Sequence, residues 1–354
     1  MVPRALWRAA APSASCPRTH KGVTIESSRI GAPGFSAISF TPPAQSREVN
    51  TASATVVEKY SCARQAWLTL TAGVRLTHFS GGISENAASP RLGGAIRIPH
   101  LNWVFRGFWG EYYQAPPLST VSGPLLDLAV SKGLGVIPLH GERDQEHQFG
   151  LTIPLRGWAV EVNNYHQRAR NYFDHNAIGN SNVFFPITID GARLYGWEIS
   201  IRSPRIAGRG DAYVTYAHAH AQGSGSISGG LTDFSPRESG YFLLDHDQRH
   251  TLHTGFNFRL PWRTTGGGDL YYGSGFTDGS SDVPGHLAGH TTFDFSLSKD
   301  IAEKLTISLA ALNLLNRRFL LDNSLTFGGT HYAEPRLIYV QLRYRFRIQS
   351  RTRP

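Results

Sequence analysis

Arg64-Gln65-Ala66-Trp67-Leu68-Thr69-Leu70-Thr71-Ala72-Gly73-Val74-Arg75-Leu76-Thr77-His78-Phe79 is the stretch on which the fold turns. Ala66, Leu68, Leu70, Ala72, Val74 and Leu76 fall on one side. Gln65, Thr69, Thr71, Arg75 and Thr77 fall on the other. Successive side chains of a strand point to opposite faces, so the segment reads as a strand with one greasy and one polar face. At about 3.3 Å per residue it is roughly 50 Å long. Strands in soluble domains are mostly about 5–6 residues. A strand this long suits a barrel that crosses a membrane and projects beyond it.

The same alternation recurs along the chain. Strands are expected at about 51–60, 64–79, 90–98, 101–113, 145–154, 157–171, 191–203, 209–221, 248–260, 266–275, 290–298, 303–313 and 335–347. Phe293, Phe295 and Leu297 oppose Thr292, Asp294 and Ser296; Trp197, Ile199 and Ile201 oppose Glu198, Ser200 and Arg202. The gaps between strands alternate in length. The short ones are 61–63, 99–100, 155–156, 204–208, 261–265 and 299–302. The long ones are 80–89, 114–144, 172–190, 222–247, 276–289 and 314–334. A transmembrane barrel puts every second connection on the same side, with short periplasmic turns and long extracellular loops. Thirteen strands is an odd number, and an open edge is costly in lipid. Residues 34–41 offer a fourteenth strand; otherwise the chain is part of a larger barrel.

Composition agrees. The 354 residues are 17% charged and 11% aromatic, with 37 Gly, as hairpin-rich β-structure with aromatic girdles requires. No run of about 18 apolar residues offers a transmembrane helix. Cys16 and Cys62 have no metal-ligand spacing and suggest no disulfide framework. The net charge is +9, but the arginines are scattered along strand faces and loops, which argues against a nucleic-acid partner. Arg75, Arg202, Arg259, Arg343 and Arg345 occupy inward-type positions, as a hydrated or anion-favouring lumen wall would have them.

Catalytic signals are missing. No Gly-rich phosphate loop, nucleophile elbow or triad spacing stands out, so no enzyme is expected. Histidine is frequent, with 15 copies. His218 and His220 share a strand face, and His246, His250 and His253 follow at the next strand. A metal site usually needs three or four fixed ligands, so these read as solvated lumen or loop histidines; no metal and no cofactor are expected. Trp103, Phe105, Phe108, Trp109, Tyr112 and Tyr113, with Tyr271, Tyr272, Tyr339, Tyr344 and Phe346, read as interfacial anchors.

Several segments then resemble the C-terminal barrel region of TonB-dependent outer-membrane receptors. They are Ser89-Pro90-Arg91-Leu92-Gly93, Tyr112-Tyr113-Gln114-Ala115-Pro116-Pro117, Glu142 through Gly150, and Gly191 through Glu198. Leu312 through Phe319 and the run from Glu334-Pro335-Arg336 to Tyr344-Arg345-Phe346 complete the series. The resemblance covers about residues 50–346 and implies a partial antiparallel transmembrane barrel, about 13–14 of about 22 strands. Residues 1–46 read as an irregular segment with one candidate strand, 47–347 as the barrel region and 348–354 as a basic extension.

The family's signal peptide, TonB-docking box and plug are not visible in the chain. The resemblance implies uptake of a bulky solute such as a ferric chelate, cobalamin or an oligosaccharide, with a chain not competent alone. A plugless diffusion porin and a soluble β-sandwich or adhesion protein are the alternatives. The implied location is the outer membrane. Implied partners are outer-membrane lipid and lipopolysaccharide, the barrel assembly machinery, and TonB only through a plug. Candidate solute-binding residues in the long loops are Arg143, Tyr172, Phe173, Tyr241, Phe242 and His331.

Overall fold

The computed structural model describes residues 20–30, 49–61, 67–80, 83–117, 131, 139–177, 184–228, 240–244, 247–278, 285–323 and 330–346. The strands are β1 (His20–Ile30), β2 (Val49–Ser61), β3 (Leu68–Ser80), β4 (Ser84–Arg97), β5 (Val104–Gln114), β6 (Glu142–Leu155) and β7 (Trp158–Ala177). Then come β8 (Phe184–Arg202), β9 (Gly210–Ser228), β10 (Tyr241–Leu243), β11 (His250–Leu260), β12 (Thr264–Gly273), β13 (Thr277–Asp278) and β14 (Gly285–His286). The last are β15 (His290–Ala302), β16 (Leu305–Leu312), β17 (Leu320–Asp322), β18 (His331–Tyr332) and β19 (Leu337–Tyr344). One antiparallel sheet runs β1-β2-β3-β4-β5-β6-β7-β8-β9-β11-β12-β15-β16-β19, with β10 also on β9. Two small hairpins, β13–β14 and β17–β18, stand apart from it. Among the described residues, β1 and β19 are the two edges, and they are not paired with each other.

All thirteen expected strands are present, most ends within four residues of expectation, but β4 and β8 start six and seven residues early and β7 and β9 run six and seven residues longer. Within the first 46 residues the strand is β1; the candidate at 34–41 lies outside the described residues. The expected long loop at 80–89 is a correction. β4 already begins at Ser84, so three residues part it from β3, and the alternation of gap lengths breaks there. Pro90 suggested a strand start, but it sits inside β4 opposite Val74. Pairing with β5 ends at Arg91↔Gly110, one residue before it, so a residue without an N–H is tolerated. The expected loop at 172–190 is also largely strand, and the one at 222–247 opens as strand to Ser228, because β7, β8 and β9 are 19–20 residues long. The two-residue turn Arg156-Gly157 has φ of 50° and 89°, the doubly left-handed turn that matches the twist of a tight hairpin.

Register divides the wall into two faces. Leu70, Leu92, Ile96, Phe105, Phe149, Val214, Phe256 and Leu309 fall on one face and are exposed. In an aqueous protein such a surface would be a liability; here it is the lipid face. The opposite face carries Arg106, Thr152, Asn163, Ser200, Thr215, Asp269 and Ser298, tied by Arg106 Nη1 to Thr152 Oγ1 (2.7 Å) and Ser200 Oγ to Thr215 Oγ1 (3.1 Å). Arg75, Arg202, Arg259 and Arg343 share that polar parity.

Exposed aromatics mark both ends of the lipid face. Trp158 and Trp262 stand at the short-turn ends. Toward the loop ends, Trp109, Tyr195, Trp197, Tyr216 and Tyr272 form the second girdle. Trp158 and His166 on β7 are eight residues apart, about 20 Å of height at the tilt of such barrels, close to the apolar band of an outer membrane.

Candidate functional site

The polar features with the most convergent bonding lie at the loop end of the wall, above the apolar band. Glu85, at the head of β4, collects three donors. The Tyr113 hydroxyl (2.7 Å) and the Gly141 N–H (3.0 Å) donate to Oε2, and His140 Nδ1 lies 2.8 Å from Oε1. These contacts span 28 to 56 residues of sequence and tie the far end of the long β5–β6 connection to the mouth. Burial pushes the Glu85 pKa up, but the bonds from Tyr113, His140 and Gly141 outweigh it and hold it below the ordinary value of 4.5. A lowered carboxyl pKa contributes stability that is present above the unfolded value and lost as pH falls through the folded one. The tether is therefore expected to hold at neutral pH and to release only below the ordinary carboxyl range. Glu85→Ala is expected to cost the docked connection about 2 kcal/mol at pH 7. Limited proteolysis at residues 139–141, faster in the variant at pH 7 with the difference closing once acid protonates the wild-type carboxyl, checks this.

Next to it, Glu142 opens β6 and is almost fully buried. Its Oε2 accepts the Phe173 N–H at 2.7 Å. Burial drives its pKa up to about 8; the Phe173 bond pulls down, and the neighbouring Asp144 carboxylate pushes up again. The sign is opposite to that of Glu85. Stability is full below the ordinary carboxyl range and is lost as pH rises through about 8. Glu142→Gln keeps an acceptor for Phe173 and removes the charge. Its thermal midpoint in detergent is expected to exceed that of wild type by about 2–4 °C at pH 9 and to match it at pH 5.

A third joint is Asp247, buried between β9, β11 and the β13–β14 hairpin. Its Oδ1 accepts the Ala221 N–H (2.7 Å), filling the ladder where β9 passes from partner β11 to partner β10. Its backbone carbonyl accepts the Thr277 N–H (2.9 Å) and hydroxyl (3.2 Å). Its Oδ2 lies 3.7 Å from His286 Nε2 and 3.9 Å from Arg249 Nε. Leu243, Arg249, His250, Ser274 and His286 line a hollow beside it.

The six loop candidates are placed as follows. Tyr172 and Phe242 meet in a packed cluster around Ala169, Ile189, Ala192 and Leu244. Phe173 holds Glu142 through its backbone. Arg143 Nη2 donates to the Asn86 carbonyl (3.1 Å), and its guanidinium lies 5.2 Å from the Tyr113 ring. Tyr241 stacks on Arg193 at 3.5 Å. His331 stands in the β17–β18 hairpin. On the polar face, sequence reading missed a row across three strands: the Tyr213 hydroxyl donates to Asp269 and lies 3.3 Å from His253 Nε2. The register signal was there, since all three have inward parity.

The histidines are a second correction. His218, His220 and His250 were expected in the lumen or in loops. They share the lipid face with Val214 and Tyr216 and stack among Trp197, Tyr195 and Tyr216. Their parity on β9 and β11 is that of the apolar residues, so they are polar-tipped members of the upper girdle. Among the described residues no group of three His, Cys, Asp or Glu is placed to hold a metal.

A family model for the TonB-dependent receptor-like β-barrel matches residues 30–314. The chain belongs to this family. Its barrel is therefore of the outer-membrane type, and its family members are transporters, not enzymes. No curated protein matches the chain. Among solved structures it is similar to the copper transporter OprC, with TM-score 0.60, 11% identity, and coverage of 84% of this chain and 48% of that one. It is similar to the FrpB iron transporter from Neisseria meningitidis, with TM-score 0.62, 14% identity, and coverage of 84% and 45%. For the ferric citrate transporter FecA the values are 0.59, 16%, 84% and 45%. At these identities the likeness is one of fold. The chain spans about half the length of these structures.

Proposed function

We propose that this chain supplies part of the wall and the outer vestibule of a receptor for energy-coupled uptake of a bulky solute, a metal chelate before cobalamin or an oligosaccharide. The observation that carries the reading is the family match over residues 30–314, laid on a sheet whose strand order and girdles are those of an outer-membrane barrel. The preference for a metal chelate comes from the similar structures, which are transporters of copper, iron and ferric citrate. Phe173 and His331 remain the proposed solute contacts of the outer loops; Arg143 and Tyr241 have the outward parity, and Tyr172 and Phe242 serve as packing. Tyr213, His253 and Asp269 add polar contacts lower on the wall. The barrel assembly machinery would insert the chain, and TonB would act through a plug.

An unpaired edge in hydrocarbon leaves backbone groups that each cost several kcal/mol, so this wall needs further strands to carry solute. The test is expression of the 354-residue chain in a Gram-negative host lacking its own ferric citrate receptor. The expected result is outer-membrane fractionation with no protonophore-sensitive uptake of labelled ferric citrate. Protonophore-sensitive uptake by the chain alone would overturn the need for further segments. A water-soluble, monodisperse product would overturn the membrane reading, and steady ion conductance in planar bilayers would favour a diffusion porin.

A further inference from the structure

Above the histidine and aromatic girdle, the lipid face changes character. Arg143 on β6 stands directly across from Arg170 on β7, and Arg168 on β7 directly across from Arg193 on β8. Arg143, Arg168 and Arg170 are exposed. Like charges in register on neighbouring strands repel. The wall offers them little compensation. Arg193 Nε donates to the neutral Gln222 (2.7 Å), and its guanidinium lies over Tyr241; Arg143 reaches a backbone carbonyl. Among the described residues no ion pair joins any of the four to a carboxylate. Of the acids at this level, Glu142, Asp144 and Glu146 have the opposite parity and face the lumen, and Glu111 on β5 shares the outward parity across from Gln145 but forms no ion pair with any of the four among the described residues. Asp190, at the register shift within β8, is taken by the Ser226 N–H at 2.8 Å.

Height gives the second argument. Arg168 and Arg170 are ten and twelve residues above Trp158 on β7, about 25–30 Å along the barrel axis. That is the level at which the loop-side leaflet presents its headgroups. Below the arginines, Leu70, Ile96, Phe105, Gly107, Phe149 and Leu151 line a shallow groove of about 520 Å³ on the same face. An added Cβ at Gly107 would touch nothing within 4 Å, so the groove is open to an acyl chain.

We infer that Arg143, Arg168, Arg170 and Arg193 form a docking belt for the phosphate groups of a bis-phosphorylated acylated glycolipid in the outer leaflet. The guanidiniums take phosphate oxygens by forked hydrogen bonds, and an acyl chain lies down the groove. Two phosphates on one headgroup match two facing pairs of arginines. The inference rests on the outer-membrane placement of the wall.

The test is native mass spectrometry of the full chain in detergent, titrated with diphosphoryl lipid A, its monophosphoryl form and a fully dephosphorylated form. Wild type is expected to prefer the diphosphoryl lipid. Each arginine removed is expected to weaken binding about fivefold, so R168Q/R193Q loses about 25-fold. Arg259→Gln, on the lumen face, is expected to leave binding unchanged. Equal binding by R168Q/R193Q, equal binding of the dephosphorylated lipid, or an equal loss in Arg259→Gln would overturn the belt. Should the double variant fail to fold, the three-lipid series on wild type decides alone. A wild-type chain with no heat-modifiable folded form overturns the barrel reading; a folded barrel indifferent to phosphate overturns only the belt.

Discussion

Gly196→Val is expected to abolish the heat-modifiable folded form of the barrel, whereas Gly107→Ala leaves it intact. Gly196 lies mid-wall on β8, opposite Tyr165 on β7 and Ala219 on β9. A Cβ there would collide with the backbone carbonyl oxygen of His218 and come within 2.8 Å of the Tyr165 hydroxyl. The carbonyl belongs to the ladder and cannot rotate away. Asn164 Nδ2 also donates to the Gly196 carbonyl at 2.9 Å, which pins the site from a second side. Overpacking of this kind costs about 3 kcal/mol or more, and β-branching adds to it. Gly107 has an open Cβ direction, and alanine there should change stability by less than about 0.5 kcal/mol. The folded fraction on unheated SDS gels after detergent refolding, with an unfolding titration for Gly107→Ala, measures both. A folded Gly196→Val protein of wild-type stability would refute the packing of β7, β8 and β9.

Asp247→Ala is expected to free the outer hairpins while leaving the lower wall in place. The substitution strips the Ala221 N–H of its acceptor at the point where β9 changes partners, and leaves His286 and Arg249 without their shared carboxylate. Orphaning a buried donor of this sort costs about 2–3 kcal/mol, or about 50-fold in local opening. Hydrogen exchange of peptides covering 219–223 and 274–278 should speed up together, because the Asp247 carbonyl holds Thr277. Peptides in β15 and β16 should not respond. Asp247→Asn keeps an acceptor and should show a smaller effect, which separates the ladder role from the charge. Unchanged exchange at 219–223 in Asp247→Ala would refute the joint.

Much of the wall was legible because strand parity survives even where single residues mislead. The run from Leu68 to Leu76 on β3 and the runs on β8 and β15 announce themselves by period alone. Strand ends were less legible. Ser84 to Ser89 are small or polar residues that read as loop, yet they continue β4 because β3 supplies a partner as far as Ser80. His218 and His220 were misread for a different reason. Their chemistry suggested water, while their parity with Val214 and Tyr216 placed them in the girdle. Asp247 and Glu85 could not be read at all, since their partners lie 26 to 56 residues away and depend on how the connections fold back. The arginine belt was hidden too. Arg143, Arg168, Arg170 and Arg193 are spread over three strands, and only the register brings them side by side.

The two edges of the sheet, as far as the described residues go, carry an arithmetic constraint. Every neighbour along the path from β1 to β19 is antiparallel, and the path holds fourteen strands. β1 therefore points toward the loops and β19 toward the short turns. Any segment that closes the cylinder must enter beside β19 heading outward and leave beside β1 heading inward. Only an even number of added strands, or none, can do this with antiparallel pairing throughout. An insertion of one or three would force a parallel seam. Whatever completes this cylinder, within one polypeptide or across two, comes in whole hairpins.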